Sequence, residues 1–515
     1  MVKSIRKKGD VQMTVSKKYR LWFLLIALAL VYALPGASLA DHPFLTPQGS
    51  YITLTVPGSV TPIISSGETY HDFLFEGIPD GIGLAPGPSE NTVDVFVSHE
   101  QTTVPFFGER DFQDASVSKL TLDTITAEVL AASVAIPPEA GYIRFCSAFM
   151  AGPDEGFSRY TFFANEEAND IVDVPSSAPY GPDPALGDQR QAGYAVVLDV
   201  ESGDYIQVAG MGRHNHENTV VVPGEWNQFA MLSTDDTFNA PSSQLYMYLA
   251  NHEDHIWQDK GSLWAFRVTR TDDGSISPTD PFNGANDYLD IQPGDDWRGE
   301  FIRVPKQIAR GETGLAPQDA LEQWSNEHNV FQFIRLEDLA YDKNSPRVVY
   351  VADTGQTRII PDPETGRMTR GLSGTEGLAD NGRIFKFVFN EKNPRKVESF
   401  SVLADGDLPE SSVFVPFVNP DNMDTSANSM MVQEDNDNAR IWQYDFATGS
   451  WSVIATVNDP DGESSGIVDA SAWFGPGAWL LDVQAHGSNV AEQQVGDVLF
   501  KRESGQLLLM TIPGS

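Results

Sequence analysis

One unit recurs along this chain: a short strand rich in Val, Phe, Tyr and Leu that runs directly into acids. VFVSHE ends at Glu100, FFANEE at Glu167, LYMYLANHED at Asp254, VVYVADTG passes through Asp353 and MMVQEDND ends at Asp437, while WLLDVQAHG carries Gln484 and His486 in place of the acids. Such units at irregular spacing predict repeated small sheets whose strand ends face one common place. The stretch Met211 to Asp236 gives the reason in miniature. Thr219 to Val222 is a β-branched run, Pro223 to Asn227 carries a Pro-Gly turn signal, and Gln228 to Ser233 reads as the returning strand. An antiparallel pair brings its second end back beside its first beginning, so His216 and Glu217 are expected beside Asp235 and Asp236. A single acidic turn is ordinary turn chemistry. Repeated acidic ends that converge are a different matter, because carboxylates forced together repel unless one protonates or a cation neutralises them. A hard, oxygen-seeking cation is the simpler resolution.

The architecture follows from what surrounds these units. Many short strands are separated by Gly, Pro, Asn and Asp, and helical patterns are scarce, Pro317 to Asn326 being one short exception. The fold class expected is all-β, a β-propeller able to absorb the length as blades with long loop insertions. The segments Val174 to Arg190 and Arg270 to Asp296 read as loops that wall or cover a central site. No low-complexity linker divides the chain, so residues 41–515 are expected to form one catalytic domain.

Residues 1–20 hold seven Lys or Arg and one Asp, the apolar run Leu21 to Leu34 follows, and Ser38 and Ala40 supply small residues before Asp41. This is the pattern of a signal peptide over residues 1–40, too short in its apolar core for a comfortable span. A secreted or periplasmic protein without stable membrane insertion is expected. Beyond residue 40 there remain 27 basic and 71 acidic residues, a formal charge of −44. Such a surface excludes nucleic acid as a partner, since phosphate backbones need Lys and Arg. Cys146 is the only cysteine, so no intrachain disulfide forms. It lies in RFCSA upstream of the FFANEE acids, and a thiolate near carboxylates makes electrostatic sense when a cation such as iron or zinc lies between them.

Several motifs, taken in order, resemble the PhoX-type alkaline phosphatases. They are IPDGIG with VFVSHE, carrying Asp80, His99 and Glu100; Cys146 followed by Glu166-Glu167; GRHNHENTVVVP with Glu217, and Asp236 after its hairpin; FIRLEDLAYD; PDNMD through QEDND; and ESSGIVDASAWFGPGAWLLDVQAHG. The resemblance spans about Asp80 to His486. It implies a six-bladed propeller that hydrolyses phosphate monoesters with an iron pair and calcium ions near its axis. Carried over by position, Cys146, Glu167, Glu217 and Glu337 become metal ligands, Asp236 completes the shell, Asp80 is a calcium ligand near the entrance, and Arg335 grips the substrate phosphate, with Arg335 and Glu337 as the catalytic pair. The implied cofactors are calcium and ferric iron, and the implied partners are small phosphate esters.

The chain also departs from the family pattern. SAFMAGPDEGFSRYTFFANE is longer between Cys146 and Glu167, Leu336 stands where the family has Pro, and Ala485-His486-Gly487 replaces part of the closing motif. Changes after Cys146 are expected to move the thiolate or reshape the entrance. His214, His252 and His255 read as surface or loop residues, and Asp353, Glu434 and Asp435 as outer-shell or structural calcium residues rather than catalytic ones. Three functions stay open. The chain is an exported phosphomonoesterase with a metal-supplied nucleophile, a calcium-dependent propeller hydrolase of a phosphodiester or lactone, or a non-enzymatic calcium-stabilised binding propeller. No G-x-S-x-G elbow or phosphate loop offers a competing chemistry.

Overall fold

Six four-stranded antiparallel sheets are arranged so that their first strands form a closed ring. In a computed structural model, the described residues are 43–101, 114–237, 242–276, 284–489, 493–495, 498–500 and 503–515. The expected signal peptide lies outside them. The six innermost strands are Pro79–Pro86, Phe145–Ala151, His216–Val222, Leu336–Asp342, Pro420–Thr425 and Gly462–Asp469. Each touches the next in this order, and the sixth returns to the first. Blades 1 to 6 are numbered accordingly, and the expected propeller is the fold observed.

The sheets are meanders, so each chain segment pairs with its sequence neighbour and then moves outward. Blades 3 and 4 are bridged at their outer edges by Trp297–Arg303, which pairs with Ser262–Thr271 on one side and Asn393–Asp405 on the other. Blade 6 is completed from the beginning of the chain: Ser59–Ser65 pairs with Glu503–Thr511. Ile52–Leu54 likewise edges blade 5 through Ser450–Val457. These pairings cover edges that would otherwise expose unpaired backbone groups.

The core lies between blades. Phe266, Phe333, Phe385, Phe387 and Phe400 form one interlocked aromatic group between blades 3 and 4. Tyr288 and Ile291 from the expected Arg270 to Asp296 loop join that core and brace it from outside the ring. The Pro317–Glu327 helix agrees with its sequence signal. Asp254 does not join the other acids. Its strand, Leu245–Ala250, runs antiparallel to Phe229–Asp235 with Ala250 opposite Phe229, so it ends at the opposite end of the blade from Asp235. Alternate strands of a meander point opposite ways, and a strand-then-acid pattern cannot distinguish them.

Candidate metal centre

The hairpin at Met211 to Asp236 forms as its sequence requires: His216–Val222 pairs with Phe229–Asp235, and His216 faces Asp235. The same register recurs in every blade. The first residue of each innermost strand pairs with the end of the second strand: Pro79 with His99, Phe145 with Glu166, His216 with Asp235, Leu336 with Asp353, Pro420 with Glu434 and Gly462 with Ala485. The second residue of each innermost strand is then Asp80, Cys146, Glu217, Glu337, Asp421 or Glu463. All six are buried. In blades 1 to 5 the pairing register shifts directly after the first pair, and such bulges re-aim a side chain away from simple alternation.

A second circle comes from the residue after each second-strand end: Glu100, Glu167, Asp236, Thr354, Asp435 and His486. Five blades fix it with the same hydrogen bond. The backbone N–H of Glu100, Glu167, Asp236, Thr354 and Asp435 donates to the carbonyl of Ile78, Arg144, Asn215, Arg335 and Asn419, at 2.9–3.0 Å. Each acceptor stands two residues before the inner donor of its blade. The clip holds both circles at one end of the axis.

Among the described residues four groups of donors result, each with its atoms within 4.8 Å of one another: Asp80, Glu100 and Cys146; Cys146, Glu167 and Glu217; Glu217, Glu337 and Asp421; and Asp421, Asp435 and Glu463. They share members and form one continuous arc. Cys146 Sγ lies 3.3 Å from Asp80 Oδ2 and 3.2 Å from Glu217 Oε1. Gly81 permits that approach, because a Cβ there would sit 2.2 Å from the Ala148 backbone nitrogen. Asp80, expected near the entrance, is buried beside the thiol, where Ser465 Oγ and Gln484 Nε2 donate to its Oδ2 at 3.0 and 3.2 Å.

The electrostatics favour bound cations. Burial, then Glu100, pushes the Asp80 carboxyl up to about 8. Burial is also the first cause raising Glu100, Glu167, Glu217, Glu337, Asp421 and Glu463, with neighbouring carboxylates adding to it in each. The Cys146 thiol rises well above its ordinary value for the same two reasons. A protein without cations here must therefore protonate the arc or leave buried charges uncompensated. The donor set fits metals on chemical grounds. The two groups that share Cys146 combine thiolate with carboxylate, which suits iron or zinc, and the other two offer oxygen alone, which suits calcium.

Arg335 stands at the rim with its side chain 20% exposed. Its Nε and Nη2 donate to the two Asp236 carboxylate oxygens at 2.9 and 2.7 Å, and Nη2 lies 3.2 Å from Glu337 Oε1. Burial opposes its charge, but Asp236 and Glu337 outweigh it and hold the guanidinium protonated. Asp236 is thus taken up by arginine and belongs to none of the four donor groups. Asp435, expected as an outer-shell or structural calcium residue, falls in the fourth group, whereas Glu100, Asp421 and Glu463 are members that the sequence did not single out as ligands, although VFVSHE, PDNMD and ESSG contain them.

In blades 2, 4 and 5 the acid before the outer member braces the blade. Glu166 accepts from Ile143 N, Gly193 N and Arg190; Asp353 accepts from Ile334 N and Gly355 N; Glu434 accepts from Val418 N, Arg440 and Trp442. Asp353 and Glu434, expected as outer-shell or structural calcium residues, are taken up by backbone N–H groups and, for Glu434, by Arg440 and Trp442. Arg190 and Asp183 place the Val174 to Arg190 segment against Glu166 and Arg213. His216 is held by Ser233 Oγ and the Gly212 carbonyl. His214, expected at the surface, is 0% exposed and stacks on His216 and Tyr246. His486 sits between Glu463 and Glu503; burial disfavours its charge, yet these partners raise it to about 11.

The long segment after Cys146 makes an ordinary hairpin, Phe145–Ala151 with Thr161–Glu166. Its added residues turn at the far end of blade 2, so they neither displace Cys146 nor reach the rim.

The family model for alkaline phosphatase PhoX matches residues 159–464. The chain belongs to the PhoX family. Among solved structures, Pseudomonas fluorescens PhoX in complex with vanadate, a transition state analogue, matches with a TM-score of 0.58 and 14% identity, covering 89% of this chain and 96% of that one. That likeness carries the propeller fold. No curated protein matches by sequence. Within the PhoX family match lie Glu167, Glu217, Asp236, Arg335, Glu337, Asp421, Asp435 and Glu463, whereas Asp80, Glu100 and Cys146 precede it.

Proposed function

We propose that this member of the PhoX family is an exported, metal-dependent phosphomonoesterase that releases inorganic phosphate from organic phosphate esters. The observation that carries the reading is the arc of mostly buried donors with Arg335 set beside one of them, Glu337. A purely structural cation site needs neither a thiol shared between two donor groups nor a guanidinium set beside the donor Glu337.

In this reading Cys146, Glu167 and Glu217, with Asp80 and Glu100, hold iron, and Glu337, Asp421, Asp435 and Glu463 hold calcium. Bound there, the metals would withdraw charge from the phosphoryl oxygens and activate an oxygen nucleophile. The chain supplies the remainder. Asp236 fixes the Arg335 guanidinium plane, and a guanidinium matches phosphate oxygens in a way a point charge does not. Asn215 Nδ2 donates to Glu167 Oε1 at 3.0 Å and so sets that carboxylate's direction. Gln484 does the same for Glu100 at 3.1 Å. Export rests on the N-terminal sequence pattern; among the described residues no helix is long and apolar enough to cross a membrane.

The test is release of phosphate from an aryl phosphate at alkaline pH by metal-replete protein, repeated after chelation and after metal is restored. Turnover lost on chelation and regained on restoration is expected. Folded, metal-replete protein without turnover would overturn the assignment.

A further inference from the structure

The five-fold repeat of the backbone clip makes Arg144 the counterpart of Arg335. Each provides the carbonyl that accepts the N–H of an outer member, Glu167 or Thr354, at 2.9 Å. Each stands two residues before an inner donor, Cys146 or Glu337. The intervening blade has Asn215 at this place, so Arg144, Asn215 and Arg335 occupy three consecutive blades.

Arg144 is also held with effort. Its φ of +46°, costly for a long side chain, is shared by Ile78 at +51° and Asn419 at +51° in the same place of blades 1 and 5, so the clip itself sets the backbone from which the side chain projects. Its Nε donates to the Glu167 carbonyl at 2.9 Å, and Nη2 pairs with Asp170. Nη1 makes no hydrogen bond among the described residues, and the side chain is 25% exposed. This leaves one edge of a fixed guanidinium for an incoming oxyanion, whereas the face toward Glu167 is already used.

Resting on the phosphomonoesterase reading, we propose that Arg144 is a specificity-determining residue that binds a second anionic group, a carboxylate or further phosphate, on the leaving portion of the ester. Arg335, beside the donor Glu337, serves the reacting phosphoryl group; Arg144, two blades away, serves what is attached to it. On a chain with a formal charge of −38, a fixed cation at the mouth offsets the repulsion that a doubly anionic ester meets on approach.

The experiment compares kcat/KM for 3-phosphoglycerate and glycerol 3-phosphate, which differ by a carboxylate in place of a hydroxymethyl group. The full-length metallated protein is expected to favour the carboxylate ester, and Arg144→Gln to lower that preference about tenfold. Arg144→Lys, which retains charge without the fork, should restore part of it. The preference of the unaltered protein should also shrink as salt rises from about 0.02 to about 0.5 M, because the rim is open to screening. That measurement stands even if Arg144→Gln does not fold. No preference, a preference insensitive to salt, or an equal loss on both esters in the glutamine variant would overturn the role of Arg144. Absence of turnover on either ester by metal-replete protein would overturn the phosphatase reading itself.

Discussion

Removing the metals should make the protein increasingly unstable as pH rises, and the size of the effect follows from the buried arc. In the cation-free protein burial raises Asp80 from 3.8 to about 8. A carboxyl whose folded value is raised contributes stability that is fully present below its unfolded value and is lost as pH climbs through the folded one. The window for Asp80 is therefore about pH 4 to 8. A shift of about four units corresponds to about 6 kcal/mol, at roughly 1.4 kcal/mol per unit. Unfolding entropies near 2 cal/mol/K per residue give a chain of this size about 1 kcal/mol per degree, hence a drop of about 6 °C from Asp80 alone. Glu167, Glu217, Glu337, Asp421 and Glu463 are raised in the same direction and add to it. Bound cations reverse the sign by favouring the ionised carboxylates, so the metallated protein should lose stability toward acid. The assay is thermal unfolding of chelated and metal-replete protein from pH 5 to 9, and the gap between their melting temperatures should widen with pH. A gap that stays constant or narrows toward pH 9 would refute the reasoning.

Other perturbations separate the parts of the site. Cys146→Ala should lower bound iron more than bound calcium, measured by elemental analysis; unchanged iron would remove the thiolate as a ligand. Glu217→Gln, which alters a member of two donor groups, should reduce metal occupancy and phosphate release together, and a fully metallated, active variant would contradict its place in the arc. Arg335→Lys should lower kcat/KM for phosphate esters about ten- to a hundredfold with metal content retained, since the loss of one charge-assisted fork is worth a few kcal/mol at most; undiminished turnover would count against a role in substrate binding. Gly81→Ala should force the Asp80 and Cys146 strands apart and appear as lost iron and a lowered melting temperature, and a variant with wild-type values would show that the close approach is not required.

The sequence made the hairpins and their convergence legible because both depend on local signals: β-branched runs, a Pro-Gly turn and the return of an antiparallel strand. It also named Asp80, Cys146, Glu167, Glu217 and Glu337, now found in the donor arc. The division of labour within each acid pair was less accessible. In Glu166-Glu167 and Glu434-Asp435 the first residue braces the blade and the second joins the arc, and periodicity alone does not say which does which. The bulges after Pro79, Phe145, His216, Leu336 and Pro420 break the two-residue alternation at the donors themselves. Asp254 failed for a different reason, strand direction. His214 failed because a polar imidazole buried by stacking leaves no pattern in its neighbours.

The clasp between Ser59–Ser65 and Glu503–Thr511 bears on how such a protein is made. Blade 6 carries Glu463 and Gln484, yet one of its four strands is supplied from near the beginning of the chain and another from its last residues. During vectorial synthesis or translocation the early strand has no partner until the final segment emerges. The strand that carries Glu463 therefore gains its complete set of blade neighbours only after Glu503–Thr511 has been made.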